Sequence, residues 1–192
     1  VDANQYFAND VIPTLRDDEV FVDAGVCGGE EIDKALAMNP KVRVHAFEPD
    51  GKSCELLKKK YVDLPQVAFY PYALWNVEER LSFSGNQATP SASRLGIEGD
   101  GDGAQITAMP LDAVMTEAPT LIKMDIEGAE YNALHGAERT IRESHPKLAV
   151  CVYHSLEDYI RIPLLIQSFY GGYRFYFRHH SVTSGESVFY AV

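Results

Sequence analysis

The amino-acid sequence predicts an α/β fold with a mostly parallel sheet and helices on both faces. Short apolar runs of the length of buried strands alternate with helix-compatible segments along the chain. The first run, Val20–Val22, leads into an acid and a turn with three glycines, and the second, Val42–Phe47, leads into Glu48. No linker or repeat divides the 192 residues, so we predict a single domain over residues 1–192.

The turn after the first strand predicts a nucleotide site. Asp23 stands at the end of the strand, and Gly25 and Gly29 lie in the turn before a helix-compatible segment. In α/β sheets such turns hold nucleotides at the carboxyl ends of strands, because glycine lets the ligand approach the backbone. An ordinary strand-to-helix turn has the same pattern, since a glycine-rich turn alone is a weak motif.

The second strand supports the nucleotide interpretation. Glu48 and Pro49 follow it directly, roughly 20 residues after the glycine turn, which is the offset of a carboxylate that binds a ribose diol. The alternative for Glu48 alone is a solvated loop residue. The two signals together favour a ligand that contains adenosine.

The acid before the turn separates the two main adenosine ligands. A dinucleotide fold has the pattern Gly-x-Gly-x-x-Gly next to a pyrophosphate, whereas here Asp23 precedes Gly25 and Gly29. A carboxylate repels phosphate and suits the ammonium of an amino-acid ligand. We therefore predict S-adenosyl-L-methionine as the cofactor, with an NAD-binding oxidoreductase as the less favoured alternative.

Composition limits the partners and the compartment. The net charge is −11, and the basic residues form no block beyond Lys58–Lys60, so nucleic acid and anionic membranes are not expected as partners. Three cysteines lie in or beside apolar segments and cannot all pair. Buried, reduced thiols in a cytoplasmic protein are the simplest interpretation. The sequence does not determine the oligomeric state.

The first half of the chain continues with elements of ordinary pattern. Residues 1–19 are interpreted as a polar N-terminal lead-in, and residues 85–103, rich in Gly, Ser and Asp, as a mobile loop. The third strand should lead to Ala73 and Trp75, which we expect beside the adenine. The other predicted elements are helix Glu30–Met38, a helix starting at Pro49, strand Val67–Tyr72, and half-exposed strands Arg80–Ser84 and Gln105–Met109.

The second half adds two buried strands and a terminal hairpin. The strand Thr120–Met124 ends at Asp125, and Leu148–Tyr153 ends at His154. The helix between them should turn Leu134, Ala137 and Ile141 inward. The helix after His154 should break near Pro163, and Tyr173–Phe177 and Ser187–Ala191 should form an antiparallel hairpin.

The carboxyl ends of these strands hold the candidate catalytic residues. His154 is the candidate base, because an unperturbed imidazole titrates closest to neutral pH, and Asp125 could hold the cofactor's amine or an acceptor hydroxyl. Glu127, Glu130, His179 and His180 are candidates for the acceptor site. Each candidate has a structural alternative. His154 could be a hydrogen-bonded structural histidine at a strand end, and Asp125 could be the cap of the following helix. The two glutamates could be first-turn acids, and the other two histidines could be exposed turn residues. No metal is expected, although the three acids could be imagined as magnesium ligands.

Several motifs resemble the FkbM-type methyltransferases. They are Val22–Gly25 through Gly29, Phe47-Glu48-Pro49, Ile106–Met115 with Leu111-Asp112, and the most specific block, Lys123–Glu130. The resemblance implies a seven-stranded Rossmann-like sheet whose last strand is antiparallel. It also implies S-adenosyl-L-methionine and methyl transfer to a hydroxyl of a sugar or other small molecule. Val26-Cys27 departs from the family pattern, and many members have a longer N-terminal region.

A binding module that keeps the cofactor site without catalysis has the same sequence features. The sequence alone therefore leaves two kinds of function open beside the less favoured oxidoreductase. Methyl release with candidate acceptors would separate an enzyme from such a module.

Overall fold

A computed structural model describes residues 4–8, 10–84, 94–96, 104–183 and 185–192. Strands and helices are numbered along the chain. The main sheet contains seven strands within these residues: β1 (Val20–Ala24), β2 (Arg43–Phe47), β3 (Val67–Tyr70), β8 (Leu121–Met124), β9 (Lys147–Cys151), β10 (Phe175–His179) and β11 (Ser187–Ala191). They lie in the order β10-β11-β9-β8-β1-β2-β3. Strand β11 runs antiparallel to both of its neighbours, β9 and β10, and the other neighbouring pairs are parallel. The predicted mostly parallel sheet and terminal antiparallel hairpin are confirmed.

A second, smaller sheet was not predicted. It consists of β4 (Ala73–Leu74), β5 (Glu79–Ser84), β6 (Arg94–Gly96) and β7 (Ala104–Met109), in the order β4-β7-β5-β6. Strand β6 falls within the predicted mobile loop 85–103, whereas residues 85–93 and 97–103 of that loop lie outside the described part of the chain. Alternation predicted the two long strands but gave no information on which strands they pair with.

Helices cover both faces of the main sheet. They are α1 (Glu30–Met38), α2 (Gly51–Lys60), α3 (Leu111–Val114), α4 (Glu130–His135), α5 (Glu138–Ser144) and α6 (Asp158–Phe169). Helices α1 and α2 pack in one apolar cluster, and α4, α5 and α6 pack in the other. Leu134, Ala137 and Ile141 are fully buried, as predicted. Helix α6 continues through Pro163, so the predicted break there is wrong.

The N-terminal segment is part of the core rather than a polar lead-in. Tyr6, Phe7, Ala8, Ile12 and Leu15 are all buried and belong to the cluster that covers α1 and α2. The mixed polar and apolar sequence has no helical or strand period, and the segment forms turns, so periodicity could not reveal its burial.

The three cysteines are all free thiols. Cys54 and Cys151 are buried as expected, but Cys27 is exposed. Among the described residues, no helix combines the length and the apolar character that a bilayer span requires.

Candidate cofactor and acceptor site

The glycine turn after β1 is pressed against the end of β8. Gly25 has φ +82°, and a Cβ on this residue would lie 1.8 Å from the carbonyl oxygen of Asp125. Gly29, with φ +87°, precedes α1, and its carbonyl oxygen accepts a hydrogen bond from the Tyr61 hydroxyl at 2.9 Å. Left-handed backbone and close packing therefore require glycine at both positions.

A buried ion pair supports this turn from within the core. Asp23 is fully buried, and its Oδ1 lies 3.0 Å from Nζ of Lys123, which is also buried. The same ammonium donates hydrogen bonds to the carbonyl oxygens of Ala24 at 3.2 Å and Gly25 at 2.5 Å. Burial opposes charge on Lys123, but Asp23 and Asp125 outweigh it and raise its pKa. The carboxylate of Asp23 thus already has a cationic partner, and its direct contact with a cofactor stays a prediction.

Glu48 lies at the end of β2 beside the glycine turn. The residue is 8% exposed, and its Oε1 accepts a hydrogen bond from the backbone N–H of Asp50 at 2.9 Å. Burial raises its pKa to about 7, while the N–H groups of Asp50 and Cys27 oppose this shift. Pro49 stands one residue before the helix cap Asp50, so α2 begins later than the predicted start at Pro49.

The residues expected at the adenine belong to the small sheet. Ala73 is buried in β4 and pairs with Ala108 of β7. Trp75 is half-buried, packs against the apolar cluster of the small sheet, and donates its backbone N–H to the carbonyl oxygen of Met109 at 3.0 Å. Their place beside an adenine stays a prediction.

The carboxyl ends of β8 and β9 bring His154 into a ring of three acids. Its Nδ1 lies 3.0 Å from Oε1 of Glu130, and its Nε2 lies 3.3 Å from Oε2 of Glu127 and 3.6 Å from Oδ1 of Asp125. Burial opposes protonation, but the nearby carboxylates of Glu127 and Glu130 outweigh it and raise the pKa of His154 to about 10. This pKa lies above the near-neutral value expected for His154, and the catalytic roles of His154 and Asp125 stay predictions.

The loop that carries the acids has a constrained backbone. Glu127 adopts φ +57° and Gly128 φ +96°. Glu130 is fully buried at the start of α4, and its Oε1 accepts a hydrogen bond from the N–H of Ile126 at 2.8 Å. Glu130 thus holds the loop and His154, whereas Glu127 keeps a side chain that is 25% exposed. A strained residue such as Glu127 persists where its surroundings fix it, often at functional sites.

Two tyrosines that were not among the predicted site residues hold Asp125. Tyr6 donates its hydroxyl to Oδ2 at 2.6 Å, and Tyr153 donates to Oδ1 at 3.2 Å. The position of Tyr153 directly before His154 was a usable signal, because a residue at the end of a strand lies at the same sheet edge. Tyr6 carried no such signal.

His179 and His180 lie at the end of β10. The exposed His179 places Nδ1 2.9 Å from the Ser187 hydroxyl. His180 places Nε2 2.8 Å from the Tyr190 hydroxyl. These contacts join β10 to β11, and a role in acceptor binding stays a prediction for both histidines.

Among the residues that the structure describes, one group of side chains has the composition of a metal site. Asp125, Glu130 and His154 each offer a ligand atom, and these atoms lie within 4.8 Å of one another. Both imidazole nitrogens already lie near carboxylates, and a protonated imidazole balances part of the acidic charge. The expectation that no metal is required stays a prediction.

Comparisons with known proteins identify the family and the fold. The methyltransferase FkbM domain family matches residues 23–180. The structure of a methyltransferase FkbM from Methylobacillus flagellatus KT is 28% identical, with a TM-score of 0.81; the match covers 99% of this chain and 47% of that one. This chain thus spans about half the length of that relative. No curated protein gave a significant match.

More distant structures share the fold alone. Fibrillarin from Aeropyrum pernix, with natively bound S-adenosyl-L-methionine, is 10% identical with a TM-score of 0.62, and the match covers 98% of this chain and 73% of that one. A putative rRNA-methylase from Clostridium thermocellum is 10% identical with a TM-score of 0.57, and the match covers 90% of this chain and 84% of that one. The family match spans well over half of the described fold, from the glycine turn through β10. The chain therefore belongs to the methyltransferase FkbM domain family.

Proposed function

We propose that this chain is a methyltransferase domain that uses S-adenosyl-L-methionine and transfers the methyl group to a hydroxyl of a small molecule or sugar. The observation that carries the proposal is the convergence of three strand ends: the Gly25 turn, Glu48 and Asp125 meet at one edge of the main sheet. Ligands of open α/β sheets bind at this edge. Family membership and the cofactor bound in the fibrillarin structure support the same choice of cofactor.

The proposed cofactor site follows the strand ends. The cofactor lies along the turn from Gly25 to Gly29, whose glycines allow the turn to pack against Asp125 and Tyr61, and Glu48 accepts hydrogen bonds from the two ribose hydroxyls. Pro49, Ala73 and Trp75 border the adenine. Asp23 acts through Lys123, which fixes the carbonyl groups of the turn.

The proposed chemistry is an in-line displacement at the sulfonium carbon. The acceptor oxygen forms a bond to the methyl carbon while the carbon–sulfur bond breaks and its electron pair goes to sulfur. The hydroxyl becomes far more acidic as the new bond forms, so a carboxylate suffices to take its proton. We assign this role to Asp125 rather than His154, because an imidazole with a pKa of about 10 is protonated at neutral pH.

The other expectations on partners are part of the same proposal. A net charge of −11 favours a small-molecule or carbohydrate acceptor over nucleic acid or an anionic membrane. Free thiols at all three cysteines support a cytoplasmic location.

Calorimetry with S-adenosylmethionine, S-adenosylhomocysteine and NAD tests the proposal. We expect both S-adenosyl ligands to bind and NAD not to bind. Glu48→Ala should weaken cofactor binding by about 1–3 kcal/mol, because it leaves the ribose hydroxyls unpaired. Glu117→Ala is the control, because this carboxylate contacts Arg43 at the other end of β2. Unchanged affinity in Glu48→Ala would show that the ribose assignment is wrong.

A second experiment separates an enzyme from a binding module. Release of labelled methyl groups from S-adenosylmethionine is measured with a panel of sugars and small alcohols as acceptors. Methylated product at an acceptor oxygen supports the proposal. Cofactor binding without transfer to any acceptor class favours the binding module.

A further inference from the structure

The N-terminal segment reaches the proposed acceptor side of the site from outside the family match. That match covers residues 23–180, whereas Gln5 and Tyr6 precede it and Glu186 follows it. Gln5 is 3% exposed and Tyr6 is 5% exposed, so both are held in the interior. The two ends of the chain meet here, because the Tyr190 hydroxyl donates a hydrogen bond to the carbonyl oxygen of Gln5.

A chain of directed hydrogen bonds leads from this segment to Asp125. The amide of Gln5 donates to Oε2 of Glu186 at 2.6 Å and to the hydroxyl oxygen of Tyr6 at 3.0 Å. The Tyr6 hydroxyl in turn donates to Oδ2 of Asp125 at 2.6 Å. Since both amide hydrogens of Gln5 are donated, the Tyr6 hydroxyl accepts from Gln5 and its own proton is directed at the carboxylate.

Tyr6 is also held from its ring side. The Nζ of Lys123 lies 5.0 Å from the centre of the ring, within the range of a cation–π contact. Lys123 is itself fixed by Asp23 and by the carbonyl groups of the glycine turn. The phenol therefore has a defined position between the turn and Asp125.

The carboxylate of Asp125 is oriented but not saturated. Tyr6 occupies one oxygen and Tyr153 the other, whereas an ionised carboxylate has about four acceptor positions. Its side chain is 23% exposed, so part of it still faces solvent. Such a carboxylate can accept one further hydrogen bond, from an acceptor hydroxyl, in a fixed direction.

We propose that Tyr6, held by Gln5, is a positioning residue that fixes Asp125 for the acceptor hydroxyl. The inference rests on the proposed function, because that function supplies the acceptor hydroxyl. The hydrogen bond between Tyr6 and Asp125 is independent of the proposed function. It assigns a role to residues outside the family match.

Tyr6→Phe tests the proposal by removing the hydroxyl while keeping the ring over Lys123. With an acceptor found in the panel above, we expect kcat to fall roughly 10- to 100-fold, because misplacing a reacting group by about 1 Å has effects of this size. The dissociation constant of S-adenosylhomocysteine should change less than about twofold. Gln5→Met should lower kcat in the same direction by a smaller factor.

Tyr173→Phe is the matched control. Tyr173 is buried to a similar degree, and its hydroxyl donates to the carbonyl oxygen of Pro146 at 2.7 Å, before the amino end of β9. The Tyr173→Phe variant should lose about as much free energy of unfolding as Tyr6→Phe and keep the kcat of the wild type. Equal losses of kcat in Tyr6→Phe and Tyr173→Phe would overturn the proposal, since a general loss of stability would then explain both.

A double-mutant cycle between Tyr6→Phe and Asp125→Asn gives a readout that needs no acceptor. The equilibrium constant of unfolding should show a coupling of at least about tenfold, as expected for a hydrogen bond to a charged group. Coupling within twofold would overturn the proposal even if methyl transfer is found. If the wild type does not bind S-adenosyl ligands, the proposed function is refuted. The coupling in unfolding then still tests the hydrogen bond between Tyr6 and Asp125. With an acceptor, Tyr6→Phe should add no further loss of kcat in the Asp125→Asn background.

Discussion

Cofactor affinity should rise with pH through the titration of Glu48. Burial raises the pKa of this carboxyl to about 7, so the group is half protonated at neutral pH without ligand. Ribose hydroxyls donate to the ionised form and therefore favour loss of the proton on binding. If only the ionised form binds well, a pKa of about 7 makes affinity about tenfold higher at pH 8 than at pH 6.

Glu48→Gln isolates this contribution. A glutamine resembles the protonated acid in shape and charge, so the variant and the wild type should bind S-adenosylhomocysteine about equally at pH 6. At pH 8 the wild type should bind S-adenosylhomocysteine roughly tenfold more tightly than the variant, because its hydrogen-bond acceptor is charged and that of the variant is neutral. Calorimetry at several pH values measures both curves. The ligand's own amine titrates in both proteins and cancels in the comparison. Buried Asp23, whose pKa burial raises to about 6, interacts with Glu48, so the difference between the two curves includes this interaction.

The stability of the free protein provides an independent check. The folded pKa of Glu48 is raised above its ordinary value of about 4.5, so this carboxyl costs stability as pH rises from about 4.5 through 7. The loss attributable to this group is roughly 3 kcal/mol above pH 7. Glu48→Gln should lack that decline in urea unfolding. Parallel pH curves for wild type and variant, in binding and in unfolding, would refute the reasoning.

Three further predictions concern the turn, the histidine and metals. Gly25→Ala should lower the free energy of unfolding by at least roughly 2 kcal/mol, because the residue has φ +82° and its new Cβ would clash with the backbone of Asp125. Gly51→Ala is the control and should change the free energy of unfolding little, because a Cβ at Gly51 has no neighbouring atom within 4 Å. The pKa of His154 in the folded protein is raised to about 10, so its contribution to the free energy of unfolding is complete below pH 6.5 and declines towards pH 10. His154→Gln should lose this pH dependence in urea titrations. A loss of unfolding free energy that does not vary with pH would contradict the prediction. EDTA should leave methyl transfer unchanged; a loss that magnesium restores would show that Asp125, Glu130 and His154 hold a cation.

The main sheet could be predicted from sequence because its central strands are buried on both faces. A short apolar run such as Val20–Val22 is typical of a buried parallel strand, and glycine or acidic residues mark where such runs end. The small sheet escaped prediction because alternation identifies a half-exposed strand without identifying its neighbours. Pairing between β4 and β7 depends on contacts between residues far apart in sequence.

The sequence predicted which candidate side chains lie together, but not the electrostatics around them. Strand ends correctly located Asp125, Glu127, Glu130 and His154 at one edge of the sheet, because parallel strands end together. The raised pKa of His154 was not predictable, since it depends on how many carboxylates surround the ring in the folded protein.

Asp125 is the proposed base rather than His154 or Glu130. Three carboxylates surround His154 and raise its pKa to about 10, which makes the imidazole a poor proton acceptor at neutral pH. The side chain of Asp125 is 23% exposed, whereas Glu130 is fully buried and already accepts a hydrogen bond from the loop. Tyr6 and Tyr153 orient Asp125 and leave acceptor positions on its carboxylate unoccupied.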